Sequence, residues 1–257
     1  MDIDISIPNL ISLVIVSHGQ GSMVKDLLMS FKKFQPATEF EILIVENTDS
    51  NITPVDLNMG MNVKQIFSPQ NQGFSANLNF SVNHVSGEYF CIVNPDVIFV
   101  EDVFPKLIHN IEHNNVDIVA PVAYDFEGNL QDSFRDVPAP IDIIRRRIFT
   151  QPQPIIPPGK QLISPKWISG LFLFMKKNTF KSLGGFDVQY KLYFEDVEFC
   201  CRARQNGYIL GVDPSIKIIH NAQRKSHRDI GHLITHIQSA KLFYRSKTYL
   251  KERELIK

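Results

Sequence analysis

Apolar positions along the first hundred residues switch between two periods. Leu10-Ile11-Ser12-Leu13-Val14-Ile15-Val16 is a short apolar run closed by Ser17-His18-Gly19, the pattern of a buried strand. Val24, Leu27, Leu28, Phe31 and Phe34 then recur at helical spacing, with Ser22 as the candidate N-cap. Glu41-Ile42-Leu43-Ile44-Val45 and Val63-Lys64-Gln65-Ile66-Phe67 predict two further strands. Gly73 opens a segment in which Phe74, Leu78, Val82 and Val85 share one helical face. Tyr89-Phe90-Cys91-Ile92-Val93 predicts a fourth strand that runs straight into Asn94-Pro95-Asp96. A β-α-β-α-β order implies an α/β fold, with a parallel sheet and right-handed crossovers. Ligands of such sheets sit at the carboxyl ends of the strands. His18, Glu46-Asn47 and Asp96 all follow predicted strand ends, so they are expected to converge on one edge.

The second half is more mixed. Val103, Leu107, Ile108 and Ile111 predict a helix, Asp117-Ile118-Val119-Ala120 a strand, and 167–175 an apolar run. Between them, residues 137–165 carry seven prolines and the run Arg145-Arg146-Arg147, which reads as a loop because proline supplies no backbone donor. Residues 229–250 have a helical pattern, with Leu233, Ile237, Leu242 and Tyr249 set among polar positions.

Composition narrows the class. The 27 basic and 27 acidic side chains cancel, so no global field points to a nucleic-acid partner. Three cysteines, Cys91, Cys200 and Cys201, form neither a CxxC pair nor an even framework, and a reducing cytoplasm is the expected setting. The N-terminus lacks a signal-peptide pattern, and no window approaches the roughly 20 apolar residues that span a bilayer. A chain that is cytoplasmic, or that rests on a membrane through its basic tail, is expected.

The chemistry concentrates in acidic segments. Glu195-Asp196 and Glu198 lie between Tyr193, Phe194, Val197 and Phe199. They are either first-turn acids of a helix or carboxylates facing a pocket, where desolvation raises a pKa toward a base's working range. Asp96 either holds a hard cation against phosphate oxygens or caps a helix that Val97 and Phe99 lead toward. Glu46-Asn47 suits a ribose or base as well as a polar loop. Asn71-Gln72-Gly73-Phe74-Ser75-Ala76-Asn77 places glycine and short amides at a helix start, suited to a phosphate or to a plain cap. His220 follows the strand-like 216–219. Gly184-Gly185-Phe186-Asp187 reads as a tight turn seating the acidic segment.

Taken in order, these segments resemble the family 2 glycosyltransferases of GT-A fold, especially the rhamnosyltransferase-like branch. The resemblance rests on Ser17-His18 after a strand, Val45-Glu46-Asn47, Asn71-x-Gly73-Phe74 with Asn77 and Asn79, and Val93-Asn94-Pro95-Asp96. It continues through Ser169-Gly170, Gly184-Gly185-Phe186-Asp187 and Phe194-Glu195-Asp196-Val197-Glu198-Phe199-Cys200-x-Arg202. It implies a Rossmann-like, mostly parallel central sheet flanked by helices, with a mixed acceptor-side half. Within a single domain it divides the chain into a nucleotide-sugar half (1–100), a metal and acceptor half (101–228) and a C-terminal amphipathic helix (229–257).

The roles implied are Asp196 as catalytic base with Glu195 beside it, and Mg²⁺ or Mn²⁺ held by Asp96 and His220. Ser17, His18, Glu46, Asn47, Asn71, Gly73, Asn77 and Asn94 line the donor. The implied reaction is an inverting transfer, with dTDP-L-rhamnose as the candidate donor, to a glycan or lipid-linked acceptor in surface polysaccharide synthesis. Three positions depart from the pattern: Asn94 replaces the first acid of a DxD-type motif, Glu46 is longer than the usual Asp, and Leu78 replaces a small residue. A sugar-nucleotide pyrophosphorylase lacks support, because the loop Ser17-His18-Gly19-Gln20-Gly21-Ser22 carries no Arg. The reading from a different class is a non-catalytic nucleotide-sugar-binding subunit of an assembly complex.

Overall fold

Strand β1 (Ile7–Ser17) passes through helix α1 (Gly21–Phe34) to β2 (Phe40–Glu46) and β3 (Val63–Phe67). Helix α2 (Phe74–Ser81) then leads to β4 (Gly87–Val93) and the short β5 (Val97–Phe99). There follow α3 (Phe104–His113), β6 (Ile118–Tyr124), the ribbon strands β7 (Phe134–Arg135) and β8 (Trp167–Ile168), and β9 (Phe172–Lys176). Helices α4 (Lys177–Ser182) and α5 (Glu195–Gln205), strand β10 (Leu210–His220), and helices α6 (Ile230–Arg245) and α7 (Lys247–Leu255) complete the chain. This computed structural model describes residues 7–34, 36–47, 60–68, 72–141, 156, 162–221 and 230–255.

Among the described residues the main sheet has eight strands in the order β3-β2-β1-β4-β9-β6-β10-β5. The first four pair in parallel, as the periodicity predicts, while β9 runs antiparallel to both β4 and β6. Because β9 is reversed, its entry point lies beside the exit of β4, where Phe172 pairs with Val93. The segment preceding β9 therefore joins the carboxyl edge of the parallel strands.

Period-2 alternation sorts each strand onto two apolar layers. On one face Ile11, Leu13 and Ile15 pack with Val24, Leu27, Leu28 and Phe31 of α1 and Phe104 and Leu107 of α3. On the other, Val14, Val16, Phe90 and Ile92 share a core with Leu78, Phe180, Phe199 and Phe243, one from each of α2, α4, α5 and α6. Both faces of β1, β2 and β4 are covered, which explains their nearly unbroken apolar runs, whereas the edge strand β3 is partly exposed.

Four local expectations need correction. Val97 and Phe99 lead into no helix; they form β5, antiparallel to the end of β10. Helix α1 starts at Gly21, so Ser22 lies inside it, and the Gln20 N–H instead meets Ser17 Oγ at 3.2 Å. The apolar run 167–175 is cut at Ser169-Gly170-Leu171 into two strands of different sheets. The C-terminal helix breaks at Ser246, and Ile237 is 52% exposed, while Ser239, Ala240 and Phe243 face inward. The Arg145-Arg146-Arg147 run and Asn71 lie outside the described residues.

Candidate active site

The carboxyl ends of β1, β2 and β4, the entry of β9 and the exit of β10 gather the chemistry on one edge. Glu46, the last residue of β2, is fully buried and accepts the Gly19 N–H at 2.7 Å on Oε1. Asn47 accepts the Gln72 N–H at 3.2 Å, and its carbonyl lies 2.5 Å from His18 Nδ1. Ser17, His18, Glu46 and Asn47 thus form one hydrogen-bonded corner between two loops. Gly73 has a φ of 86°, and a Cβ there would stand 2.6 Å from the Lys191 carbonyl oxygen. That carbonyl also takes the Phe74 N–H at 2.9 Å, so only part of the first turn of α2 remains for a ligand. Asn77 donates to the Gly73 carbonyl at 2.7 Å.

Farther along the edge, the Asn94 N–H is held by the Leu171 carbonyl at 2.9 Å and turns the chain at Pro95-Asp96. Asp96 Oδ2 lies 3.3 Å from His220 Nε2, joining the loop after β4 to the end of β10. The other oxygen, Oδ1, is buried and has no hydrogen-bond partner among the described residues. A carboxylate with one buried, unpartnered oxygen and an imidazole beside it fits a divalent cation that takes its remaining ligands from a phosphorylated substrate. No group of three or more His, Cys, Asp or Glu able to hold a metal occurs among the described residues. Asp96 and His220 stand as a pair.

Glu195 and Asp196 open α5. Asp196 Oδ2 accepts the Gly170 N–H at 2.9 Å, and Oδ1 accepts its neighbour's N–H, Val197, at 2.8 Å. Burial pushes the Asp196 carboxyl above its ordinary range, opposed by those two amides. The Trp167 indole N–H also opposes the rise; it is turned toward the carboxylate without completing a hydrogen bond of good geometry. Burial also raises Glu195 above its ordinary range, and the adjacent Asp196 charge adds to it. Glu195 Oε2, like Glu46 Oε2 and Asp96 Oδ1, is buried and unpartnered among the described residues. An orphaned buried acceptor costs about 1–3 kcal/mol. These three lie on separate elements at one sheet edge, where the donors of an incoming ligand would satisfy them.

The third acid of the segment turns away. Glu198 pairs with Arg202 at 2.9 Å, and Arg202 also donates to the carbonyls of Leu183 and, at 2.7 Å, Gly185. Asn79 grips the same turn, donating to the Phe186 carbonyl at 2.7 Å and accepting its N–H at 2.8 Å. The Gly184-Gly185 turn therefore seats the acidic helix through Arg202. Leu78 is fully buried in the core. Sequence reasoning assigned no role to Trp167 or to the Gly170 amide. The Ser169-Gly170 pair was visible in the sequence, but what it touches was not.

The profile of glycosyl transferase family 2 matches residues 12–178. The chain belongs to this family. Among curated relatives, N-acetylglucosaminyl-diphospho-decaprenol L-rhamnosyltransferase of Mycobacterium tuberculosis is 23% identical over 263 residues, covering 91% of this chain and 84% of the relative. Rhamnosyltransferase WbbL of Escherichia coli is 26% identical over 225 residues, covering 83% and 84%. The family 2 chain is thus rhamnosyltransferase-like. Among solved structures, GalNAc-T7 with UDP, GalNAc and Mn²⁺ superposes with a TM-score of 0.64 at 16% identity over 82% of this chain. This chain spans only 43% of that larger one. S. aureus TarS 1-349 with UDP-GlcNAc gives 0.63 at 15% identity, covering 92% of this chain and 67% of TarS. The fold is GT-A: a mostly parallel sheet with antiparallel additions, flanked by helices.

Proposed function

We propose that this chain is a metal-assisted, inverting glycosyltransferase that moves a sugar from a nucleotide diphosphate donor to a glycan or lipid-linked acceptor during polysaccharide synthesis. The observation that carries the reading is Asp196. Its carboxylate is anchored by two backbone amides, raised in pKa by burial, and set on the sheet edge that also holds Glu46, Asp96 and His220. Likeness to two rhamnosyltransferases favours L-rhamnose, with dTDP-rhamnose as the donor.

Glu46 and Asn47, with Ser17 and His18, receive the nucleoside. Asn94, Asn77, Gly73 and Asn71 are assigned to the sugar and phosphates. Asp96 and His220 hold Mg²⁺ or Mn²⁺; when bound, such a cation neutralises charge growing on the departing diphosphate. Asp196 accepts the proton of the acceptor hydroxyl as that oxygen attacks the anomeric carbon, and the nucleoside diphosphate leaves from the opposite face. Glu195, whose carboxyl burial holds above its ordinary range, orients the acceptor through Oε2. On this reading residues 1–100 serve the donor, 101–228 the cation and acceptor, and 229–257 the membrane side. No helix among the described residues is long and apolar enough to cross a membrane. Ile234, Ile237 and Leu250 are exposed on α6 and α7, whose sequence also carries Lys241, Arg245, Lys247, Lys251 and Arg253. That combination suits peripheral contact with the inner face of an anionic membrane.

The test is calorimetric titration with UDP- and dTDP-sugars, with and without Mn²⁺, followed by turnover of the bound donor on an N-acetylglucosaminyl-diphospho-lipid. Cation-dependent binding of one nucleotide and transfer to the lipid are expected. A folded sample that binds none of them overturns the reading. Binding without transfer across a panel of acceptors would favour the non-catalytic subunit instead.

A further inference from the structure

Four non-glycine residues among those described have positive φ: Asn9 (59°), Asn115 (52°), Tyr193 (68°) and Phe194 (65°). The first two are asparagines, the residue type that tolerates the left-handed region. Tyr193 and Phe194 are different. They are bulky, adjacent to each other, and directly precede Glu195 and Asp196. Such a conformation persists only where surrounding structure over-determines it.

The contacts that hold it come from α6. Ser239 Oγ donates to the Leu192 carbonyl at 2.8 Å, and the Tyr193 hydroxyl lies 3.0 Å from His232 Nδ1. The Tyr193 ring meets His236 edge-on at 5.2 Å between centroids. The Phe194 ring packs among His236, Phe243 and Tyr244 at 5.4, 5.5 and 5.9 Å. Helix α6 is fixed in turn: Phe243 is fully buried, and the Tyr244 hydroxyl donates to the Pro138 carbonyl at 3.0 Å. Beyond Ser246, α7 grips the far end of α5. Arg204 meets Glu252 at 2.7 Å, and Gln205 donates to the Thr248 carbonyl at 2.8 Å. Both ends of the acidic helix are therefore clamped by the C-terminal helix pair.

We propose that α6 is a brace that keeps the Tyr193-Phe194 turn left-handed and so aims Glu195 and Asp196 at the site, with His232 and Ser239 as positioning residues. If either φ relaxes to negative values, the first peptide of α5 swings and Asp196 leaves the Gly170 amide. This rests on the reading of Asp196 as the base, and it gives the C-terminal helices a role in the reaction besides any membrane contact.

The experiment compares the full chain with Ser239→Ala, His232→Ala and His232→Asn, using dTDP-L-rhamnose and the N-acetylglucosaminyl-diphospho-lipid as probes. Asparagine keeps a polar atom near the place of Nδ1. Ser239→Ala and His232→Ala are expected to lower kcat about 10- to 100-fold with unchanged donor Kd, and His232→Asn to recover most of the loss. A second readout needs no substrate. Trp167 is the single tryptophan and lies beside Asp196, so the pH midpoint of its fluorescence follows the carboxyl pair. That midpoint is expected to move in both alanine variants and to stay in place in His232→Asn.

Folded alanine variants with wild-type kcat and midpoint overturn the proposal. So does a parallel loss of donor affinity, which would make α6 a general support of the fold. Should an alanine variant fail to fold, Tyr193→Phe removes only the hydroxyl and carries the same expectations. If the wild-type chain binds donor without turnover, the reading of Asp196 as base fails, while the Trp167 midpoint still decides the brace.

Discussion

The Gly170 amide donates to Oδ2 of Asp196 at 2.9 Å across 26 residues of sequence. This bond ties the loop entering β9 to the first turn of α5, and it places a half-buried carboxylate on the sheet edge. An added Cβ on Gly170 would lie 3.5 Å from the Cβ of Asp196 and 3.6 Å from the Phe74 ring, ordinary van der Waals distances, so the loop packs closely against the acid with room for an alanine.

Asp196→Asn keeps an oxygen for the Gly170 amide but cannot take a proton. Turnover is expected to fall by about 10²–10⁴-fold, the usual contribution of a general base, with donor affinity unchanged by calorimetry. In the wild-type chain the raised carboxyl must ionise before it can act. Turnover should therefore rise with pH through a midpoint above the ordinary aspartate value of about 3.9. A variant that loses donor binding as well would remove Asp196 from the role of base.

Glu195→Gln addresses stability. The folded-state pKa of Glu195 lies above its unfolded value of about 4.3. Between the two, the folded chain keeps a proton that the unfolded chain has released, so stability declines as pH rises through that window. The glutamine variant lacks this decline. Thermal melts should show it to be the more stable chain at pH 8, with the gap closing toward pH 4.

Asp96→Asn removes the charge beside His220 while preserving shape. Mn²⁺ affinity in the presence of a nucleoside diphosphate should fall about 10-fold or more. Cation-free stability should change by no more than about 1 kcal/mol, the scale of a partly exposed polar contact. An unchanged titration would move the cation site elsewhere.

Arg204 and Glu252 predict unequal costs. Glu252 is fully buried, whereas the Arg204 side chain is 24% exposed. Arg204→Ala strands a buried carboxylate and should cost about 3–5 kcal/mol in urea unfolding. Glu252→Gln leaves an arginine able to reach water and should cost less. Equal costs would mean that the pair behaves as a surface contact.

Gly184 and Gly185 separate backbone strain from collision. Both have positive φ, at 76° and 70°, but a Cβ on Gly184 meets nothing within 4 Å. One on Gly185 would stand 2.3 Å from Asn79 Oδ1, an atom pinned by the Phe186 amide. Gly184→Ala should cost about 1–2 kcal/mol, the left-handed penalty for an L-residue. Gly185→Ala should cost clearly more, read from the shift in urea midpoint at constant slope.

Much of this protein was determined by sequence alone, because the signals are local. Short apolar runs such as Leu10 to Val16 and helical spacing from Val24 to Phe31 define elements whose order dictates a parallel sheet, and strand ends place Ser17, Glu46 and Asp96 on one edge. The expectation that Val97 leads toward a helix failed because Val97, Ile98 and Phe99, all strand-favouring residues, pair with His220, Ile219 and Ile218 of β10, a partner more than 100 positions away. The same holds for the split at Ser169-Gly170, where hydrogen bonds to two different sheets divide one apolar run. Tertiary structure alone decided what the neighbouring acids touch: Asp196 meets Gly170, whereas Glu198 is taken by Arg202 and Thr248. It also decided that Tyr193 and Phe194 are left-handed, since nothing in two aromatic residues favours that region until α6, some 40 positions later, closes over them. Contacts between distant segments depend on how whole layers pack, and no periodicity within either segment records them.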